Sequence, residues 1–217
     1  MSNHQASEQM LGYLYQVRYA LFLLLNNDNS DCQISIEKFD DVAFSNNDIP
    51  TQLIQLKHHI HQQGNLTDAS TDMWRTLKVW IDAVNESPDI LSRTIFLIIT
   101  TASAPGDSAA FFLKSDNNRD PGIAYAKLKK VCSTSTSQAN NRYYSTFTSV
   151  SEDIVKQLVK QIYVIDCASN VINVEKDIIK QIRYSCVHKY QKRYANDLKA
   201  GGLKKQLRNC ALICRFL

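Results

Sequence analysis

An acid, an amide and a lysine occur at a spacing that suits phosphate chemistry in the segment 32–61. Apolar and polar residues alternate on both sides of the sequence SNNDIP, which predicts strands joined by a turn. Asp41 lies in one of these strands, and Gln55 and Lys57 lie two residues apart in the next. Since side chains alternate across a strand, Gln55 and Lys57 share one face. A carboxylate that faces an amide and an ammonium can hold a divalent cation beside a phosphodiester.

These residue types predict metal-assisted hydrolysis. Mg²⁺ (or Mn²⁺) takes oxygen ligands, which Asp41, the Gln55 amide and the backbone carbonyl between Gln55 and Lys57 can supply. Glu37 has the same strand parity as Asp41 and is a further candidate ligand. Such a cation polarises the scissile phosphate and lowers the pKa of a bound water. The Lys57 ammonium can hold the attacking water or offset charge in the transition state.

Two adjacent acids, Asp40 and Asp41, compete for the role of ligand. On an extended strand only one of them points inward, and we favour Asp41 because Val42 and Phe44 are then left for the core. A simpler interpretation is that both acids form a turn and that Lys57 is an edge charge on an apolar stem. The sequence leaves these alternatives open.

The elements that must position these residues follow from hydrophobic periodicity. Spacing of about 3.6 residues predicts helices, alternation predicts half-buried strands, and a continuous apolar run predicts a strand buried on both faces. The predicted elements are a helix beginning at a Ser7 cap and ending at a breaker over 26–30, strands over 33–39, 41–44 and 51–58, a helix over 72–85 and a strand over 94–101.

Short sequence motifs in the first half of the chain resemble a known nuclease family. The motifs are GYLYQ at 12–16, IEKFDD at 36–41, QLKH at 55–58, LT at 66–67 and WRTLKVW at 74–80. The D…QxK pattern is similar to that of the PD-(D/E)xK superfamily, in the variant where Gln replaces the second acid. The whole set resembles the dsDNA nuclease domain of the CD-NTase-associated anti-phage endonucleases and related three-component defence proteins.

The resemblance implies both a fold and an activity. It implies an α/β restriction-endonuclease-like αβββαβ core over 1–102 and metal-dependent cleavage of double-stranded DNA in prokaryotic anti-phage defence. Related nucleases carry a helical Glu where this chain has Gln16. Gln16 would then orient only a water or a backbone group, and an amide that packs the helix is an equal alternative.

The resemblance also implies partners. Cutting two DNA strands needs two sites, so a homo-oligomer is expected, and a sensor domain or partner subunit is expected outside this chain. Because Gln16 and Gln55 replace acids, a second hypothesis is a catalytically inactive subunit of a defence complex that binds DNA or protein. A third is a purely structural subunit.

Residues 103–217 predict a mainly helical C-terminal appendage. Helices are expected over 109–113, 123–131, 151–162 and 174–189, a short strand over 163–167, and a polar linker or mobile loop over 132–149. The segment 175–217 has eleven Lys and Arg against three Asp and Glu, so it is either a DNA-binding surface or a solvated helix face. The abrupt apolar end suggests a truncated product.

Composition excludes several classes. No apolar run reaches about 18 residues, so no membrane-spanning helix is expected. The six cysteines form no CxxC pair, which predicts reduced thiols in a bacterial cytoplasm. On a strand His59 and His61 would share a face opposite to His58, which favours a polar patch near DNA over a zinc site.

Overall fold

The computed structural model describes residues 3–29, 31–59 and 64–204 of the chain. The chain forms two compact units. The first unit combines Met1–His58 with Ser169–Leu217, and the second unit is His59–Ala168.

Helices and strands alternate along the described residues. In chain order they are α1 (Asn3–Leu25), β1 (Gln33–Ile36), β2 (Val42–Asn46), β3 (Ile49–Lys57), α2 (Thr71–Glu86), α3 (Ile90–Arg93), β4 (Ile95–Thr100), α4 (Pro121–Thr134), α5 (Asn141–Ser149), α6 (Glu152–Gln161), β5 (Ile162–Ile165), α7 (Val171–Gln181) and α8 (Gln191–Lys204).

Three antiparallel strands form the sheet of the first unit. Ile34 of β1 lies opposite Phe44 of β2, and Val42 of β2 lies opposite Ile54 of β3. The turn between β2 and β3 has Asn47 and Asp48 at φ 50° and 62°. Asn and Asp tolerate this left-handed conformation better than other residues with a side chain, and it suits a tight hairpin turn. The predicted turn is confirmed.

Helix α1 joins the two chain segments of the first unit. The Tyr15 hydroxyl donates to the Ser169 carbonyl at 3.0 Å, and the Arg18 guanidinium donates to the Val171 carbonyl at 2.7 Å. Arg18 and Lys199 both pair with the Glu175 carboxylate, at 2.8 and 3.1 Å. Part of the predicted basic segment is therefore neutralised within the unit, whereas residues 205–217 lie outside the described residues.

The second unit is built around two fully buried tryptophans. Trp74 and Trp80 of α2 are both 0 % exposed, so they belong to the core of this unit. Trp74 packs edge-on against Tyr144 and Phe147 of α5. The predicted polar linker over 132–149 is therefore wrong over most of its length, because α5 buries three aromatic rings between its Ser, Thr and Asn residues.

Strands β4 and β5 pair in parallel within the second unit, with Phe96 opposite Ile162 and Ile98 opposite Val164. β5 lies inside the region expected to be a mainly helical appendage. The helix predicted over 174–189 ends at Gln181 and is followed by a short 3₁₀ turn, His188–Tyr190.

The α/β class and the order helix, three strands, helix, strand are both confirmed. The short helix α3 is an addition before β4. The finer assignment to a restriction-endonuclease-like core stays a prediction. Within the described ranges, every helix is too short or too polar to cross a bilayer.

Candidate active site

The end of β3 carries the predicted amide and lysine on one face. The Lys57 ammonium donates to Gln55 Oε1 at 2.7 Å, so the two side chains lie side by side as strand alternation predicts. Gln55 is only 7 % exposed, and its Nε2 donates to Asp40 Oδ1. A hydrogen-bond chain therefore runs from Lys57 through Gln55 to Asp40.

Both adjacent acids reach β3 because the chain bends between β1 and β2. Residues 37–41 form bends and no strand, and Glu37 begins them with a left-handed φ of 57°. The Glu37 N–H donates to the Asp41 carbonyl at 3.2 Å and closes the bend. The Asp41 N–H donates to Asp40 Oδ1 at 3.0 Å. The prediction that only one of the two acids points inward is wrong, because residues 40 and 41 lie in a bend and not on an extended strand.

The Asp41 carboxylate faces the backbone of β3. Its Oδ2 accepts a hydrogen bond from the Leu56 N–H at 2.9 Å. Burial raises the pKa of Asp41 to about 6, and the charges of Asp40 and Glu37 add to this rise. The Leu56 N–H and the Lys57 ammonium oppose the rise without cancelling it. The charged form of the Asp41 carboxylate is therefore costly, chiefly because burial withdraws the carboxylate from water.

The sequence-predicted site residues differ in how closely the structure brings them together. Asp41, Gln55 and Lys57 form one cluster with Asp40, whereas Glu37 is exposed and acts on Asp41 through its charge. The Gln16 Oε1 on α1 is buried and accepts no hydrogen bond from any described residue. The catalytic and ligand roles predicted for all five residues stay predictions.

Asp40 is the member of the cluster that strand parity excluded. Its carboxylate is 8 % exposed and accepts hydrogen bonds from both the Asp41 backbone and the Gln55 amide. One feature of the sequence pointed to it: two consecutive acids directly before an apolar strand mark a bend as readily as a strand end. We refer to Asp40, Asp41, Gln55 and Lys57 as the acid–amide–lysine cluster.

The oxygen atoms that could bind a hard cation are few. The described residues contain no group of three or more His, Cys, Asp or Glu side chains placed to hold a metal. The Asp41 Oδ2 is engaged by the Leu56 N–H, and the Gln55 Oε1 already accepts from Lys57. The Asp41 Oδ1 accepts no hydrogen bond from the described residues, which leaves it available as a ligand. A cation here would keep several waters, as Mg²⁺ commonly does.

The consecutive histidines have separate environments. The His58 Nε2 accepts a hydrogen bond from the Val171 N–H at 3.4 Å, and its ring centroid lies 4.6 Å from that of Tyr15. In the second unit, the His59 Nε2 lies 3.3 Å from an Asp72 carboxylate oxygen. His61, the third member of the motif, lies outside the described residues.

The sequence matches no protein-family model and no curated protein. Among solved structures it is similar to the Cap4 SAVED/CARF-domain containing receptor of Moraxella osloensis, with 17% sequence identity and a TM-score of 0.49. That similarity covers 87% of this chain and 42% of the receptor chain. The chain thus spans less than half the length of the receptor.

The assignment to the PD-(D/E)xK superfamily and to the nuclease domain of CD-NTase-associated endonucleases is wrong. No family model supports it, and the solved structure that the chain resembles is described as a receptor. The physical reason is that D…QxK is a short pattern. Hairpins without common ancestry can carry an acid before one strand and Gln and Lys at alternate positions of the next.

Proposed function

We propose that the acid–amide–lysine cluster hydrolyses phosphodiester bonds of double-stranded DNA with the help of a divalent cation, Mg²⁺ or Mn²⁺. The observation that carries this proposal is the burial of the Asp41 carboxylate beside Asp40, which makes the charged form of Asp41 costly. Its carboxylate has a pKa of about 6 although a lysine and a backbone N–H both stabilise its charged form. A bound cation would relieve this cost, and perturbed acids of this kind are frequent at catalytic sites.

The residues of the cluster have complementary tasks in this proposal. Asp41 would hold the cation through its available Oδ1, with Asp40 and the Gln55 oxygen beside it. When bound, the cation would make a water more acidic and polarise the phosphate. The Lys57 ammonium would donate to a phosphoryl oxygen or to the attacking water, where its charge offsets the developing negative charge. Gln55 positions that ammonium through the 2.7 Å hydrogen bond.

Glu37 and Gln16 would have lesser parts. Glu37 is exposed at the bend and could accept a proton from, or hold, a water ligand near Asp41. The buried Gln16 Oε1 has no partner among the described residues, so a water is the group that it would orient.

Charge supports a nucleic acid as substrate. The chain has a net charge of +4 and a sequence pI of about 8.7, which favours binding to a polyanion. A role in anti-phage defence, a homo-oligomer and a sensor domain or partner subunit outside this chain stay predictions.

A second candidate is a catalytically inactive subunit that binds DNA or protein through the same surface. The observation that favours it is the engagement of Gln55 at both ends of its amide, by Lys57 and by Asp40. A closed hydrogen-bond chain of this kind stabilises a fold without any cation. This candidate predicts binding without cleavage.

Incubation of supercoiled plasmid with the protein and Mg²⁺ or Mn²⁺ separates the two candidates. The hydrolase predicts nicked and linear products that disappear with EDTA and fall at least about 100-fold in Lys57→Ala, as when a charge-stabilising group is lost. Lys38→Ala is the matched control, since Lys38 is exposed and pairs with Asp48 at 3.0 Å. Plasmid that is bound yet left intact by the wild-type protein would refute hydrolysis and favour the binding subunit.

A further inference from the structure

Two arginines of the second unit converge on one phenol. The Arg142 guanidinium on α5 donates to the Tyr143 hydroxyl at 2.6 Å, and its Cζ lies 4.7 Å from the centroid of the Tyr143 ring. The Arg75 guanidinium on α2 also lies within hydrogen-bonding reach of this hydroxyl. Arg142 and Arg75 together lower the pKa of Tyr143. Both arginines are exposed and Tyr143 is 3 % exposed, so the two guanidinium groups lie over a phenol that is itself largely buried.

Neither arginine has a carboxylate partner among the described residues, whereas several lysines of the same unit do. Lysines of the same unit form ion pairs with Asp107, Asp166 and Glu152 at 2.7–2.9 Å. Arg75 and Arg142 instead hold two positive charges against a neutral hydroxyl. The two guanidinium charges are therefore left without a counter-charge among the described residues, and like charges repel each other.

Core packing holds the two arginines in place. Arg75 follows Trp74 and Arg142 lies two residues before Tyr144, and the Trp74 and Tyr144 rings pack edge-on with centroids 4.6 Å apart. The Asn140 amide, which is 1 % exposed, donates to the Ala69 carbonyl at 2.8 Å and links the two helix starts. The backbone that carries both guanidinium groups is therefore fixed before any ligand binds, which reduces the entropy lost on binding.

We propose that Arg75, Arg142 and the Tyr143 hydroxyl form a binding site for a phosphate group. Guanidinium groups present paired donors that match the oxygens of a phosphate, and two of them supply the charge that a dianion or a backbone phosphodiester requires. The Tyr143 hydroxyl accepts from the arginines and can donate its own proton to the same phosphate. This site lies in the second unit and does not depend on the hydrolase proposal.

Two ligands distinguish the sources of such a phosphate. Inorganic phosphate is titrated by calorimetry, and a 20-base-pair DNA duplex is titrated by fluorescence anisotropy over a range of salt. We expect Arg75→Ala/Arg142→Ala to lower the affinity for one or both ligands at least about tenfold, since the bound phosphate loses charge-assisted hydrogen bonds. If the duplex is the ligand, the slope of log K against log salt becomes shallower by about 2.

The matched control is Arg93→Ala/Lys160→Ala, which removes the same charge from exposed positions of the same unit. Its affinities should stay within about twofold of the wild type, because only the general charge effect remains. Equal losses in the two double variants, or no loss in either, would overturn the proposal. If Arg75→Ala/Arg142→Ala loses affinity for inorganic phosphate alone, the site binds a small phosphorylated ligand. If it loses affinity for the duplex, the site binds the DNA backbone.

Two further variants keep the test decisive if the double alanine variant fails to fold. Arg75→Lys/Arg142→Lys keeps the charge but loses the paired donors, so we expect intermediate affinity. Tyr143→Phe keeps the buried ring and removes only the hydroxyl. We expect its affinity for the same ligand to fall threefold or more. Wild-type affinity in both variants would contradict the site.

Discussion

The Asp41 Oδ2 accepts a hydrogen bond of 2.9 Å from the backbone N–H of Leu56, the residue between Gln55 and Lys57. This bond joins the bend after β1 to the end of β3. It holds the Asp41 carboxylate at the backbone between Gln55 and Lys57, where the Lys57 charge acts on that carboxylate. The cluster therefore depends on this backbone donor as well as on its side chains, and the charge buried at Asp41 should govern its stability and its response to cations.

Removing the Asp41 charge should stabilise the cation-free protein. The folded pKa of about 6 lies above the ordinary value of 3.8, so stability from this group is present below about pH 4 and is lost as pH rises through 6. We expect Asp41→Asn to be more stable than the wild type by about 3 kcal/mol at pH 7.5, because the shift of the pKa from 3.8 to about 6 is multiplied by about 1.4 kcal/mol per pKa unit.

Urea unfolding at pH 4, 5, 6 and 7.5 in EDTA measures this difference. The difference in the free energy of unfolding between Asp41→Asn and the wild type should widen as pH rises and should level off above pH 6. Asp48→Asn is the control, because the Asp48 carboxylate is 76% exposed. A variant less stable than the wild type at pH 7.5 would show that the Asp41 charge is not a cost to the fold.

A divalent cation should raise the melting temperature through Asp41. A ligand that binds only the folded state adds RT ln(1 + [L]/Kd), which is about 1.4 kcal/mol at tenfold saturation. Thermal unfolding is measured in 10 mM MgCl₂ or MnCl₂ and in EDTA. The cation should raise the melting temperature of the wild type and leave that of Asp41→Asn unchanged. The same shift in both proteins would place the cation elsewhere.

Replacing Gln55 with an acid should make folding depend on a cation. Gln55→Glu removes the donor to Asp40 and adds a third negative charge, which we expect to cost about 1–3 kcal/mol in EDTA. Addition of MgCl₂ should restore most of the lost free energy of unfolding, and Mg²⁺ should bind this variant more tightly than the wild type. Gln52→Glu on the same strand is the matched control and should lose little stability in EDTA. A Gln55→Glu variant insensitive to Mg²⁺ argues against a cation among these oxygens.

Helix α5 should contribute measurably to the core of the second unit. Phe147 is 4 % exposed and packs against Trp74 and Tyr125. We expect Phe147→Ala to lower the free energy of unfolding by about 3–4 kcal/mol, as for other buried aromatic truncations. Ser145→Ala, at an exposed position of the same helix, should change it by less than about 0.5 kcal/mol. Equal effects would mean that this segment is the polar linker that its composition suggests.

Periodicity predicted the elements that bury a continuous apolar face. The alternation around Ile34 and Ile54 and the apolar run 94–101 both became strands, since burial on one or both faces decides such segments. The two tryptophans of α2 were likewise predictable, because their spacing puts them on one helical stripe.

Local backbone geometry and sparse aromatic residues were not predictable in the same way. The left-handed Glu37 breaks the strand before Asp40, and nothing in its residue type requires that conformation. In α5, Tyr143, Tyr144 and Phe147 are separated by Ser and Thr, so composition suggested a loop although three rings suffice to hold a nine-residue helix. Long-range contacts decided both cases, and a window of neighbouring residues does not contain them.

Metal-dependent plasmid cleavage by the aspartate variants tests the hydrolase proposal most directly. Initial rates are measured with MnCl₂ for the wild type, Asp40→Asn, Asp41→Asn and the exposed control Asp48→Asn, with folding checked by circular dichroism. We predict loss of at least about 100-fold in Asp41→Asn, a smaller loss in Asp40→Asn and wild-type rates in Asp48→Asn. Cleavage by folded Asp41→Asn at the wild-type rate would contradict the account.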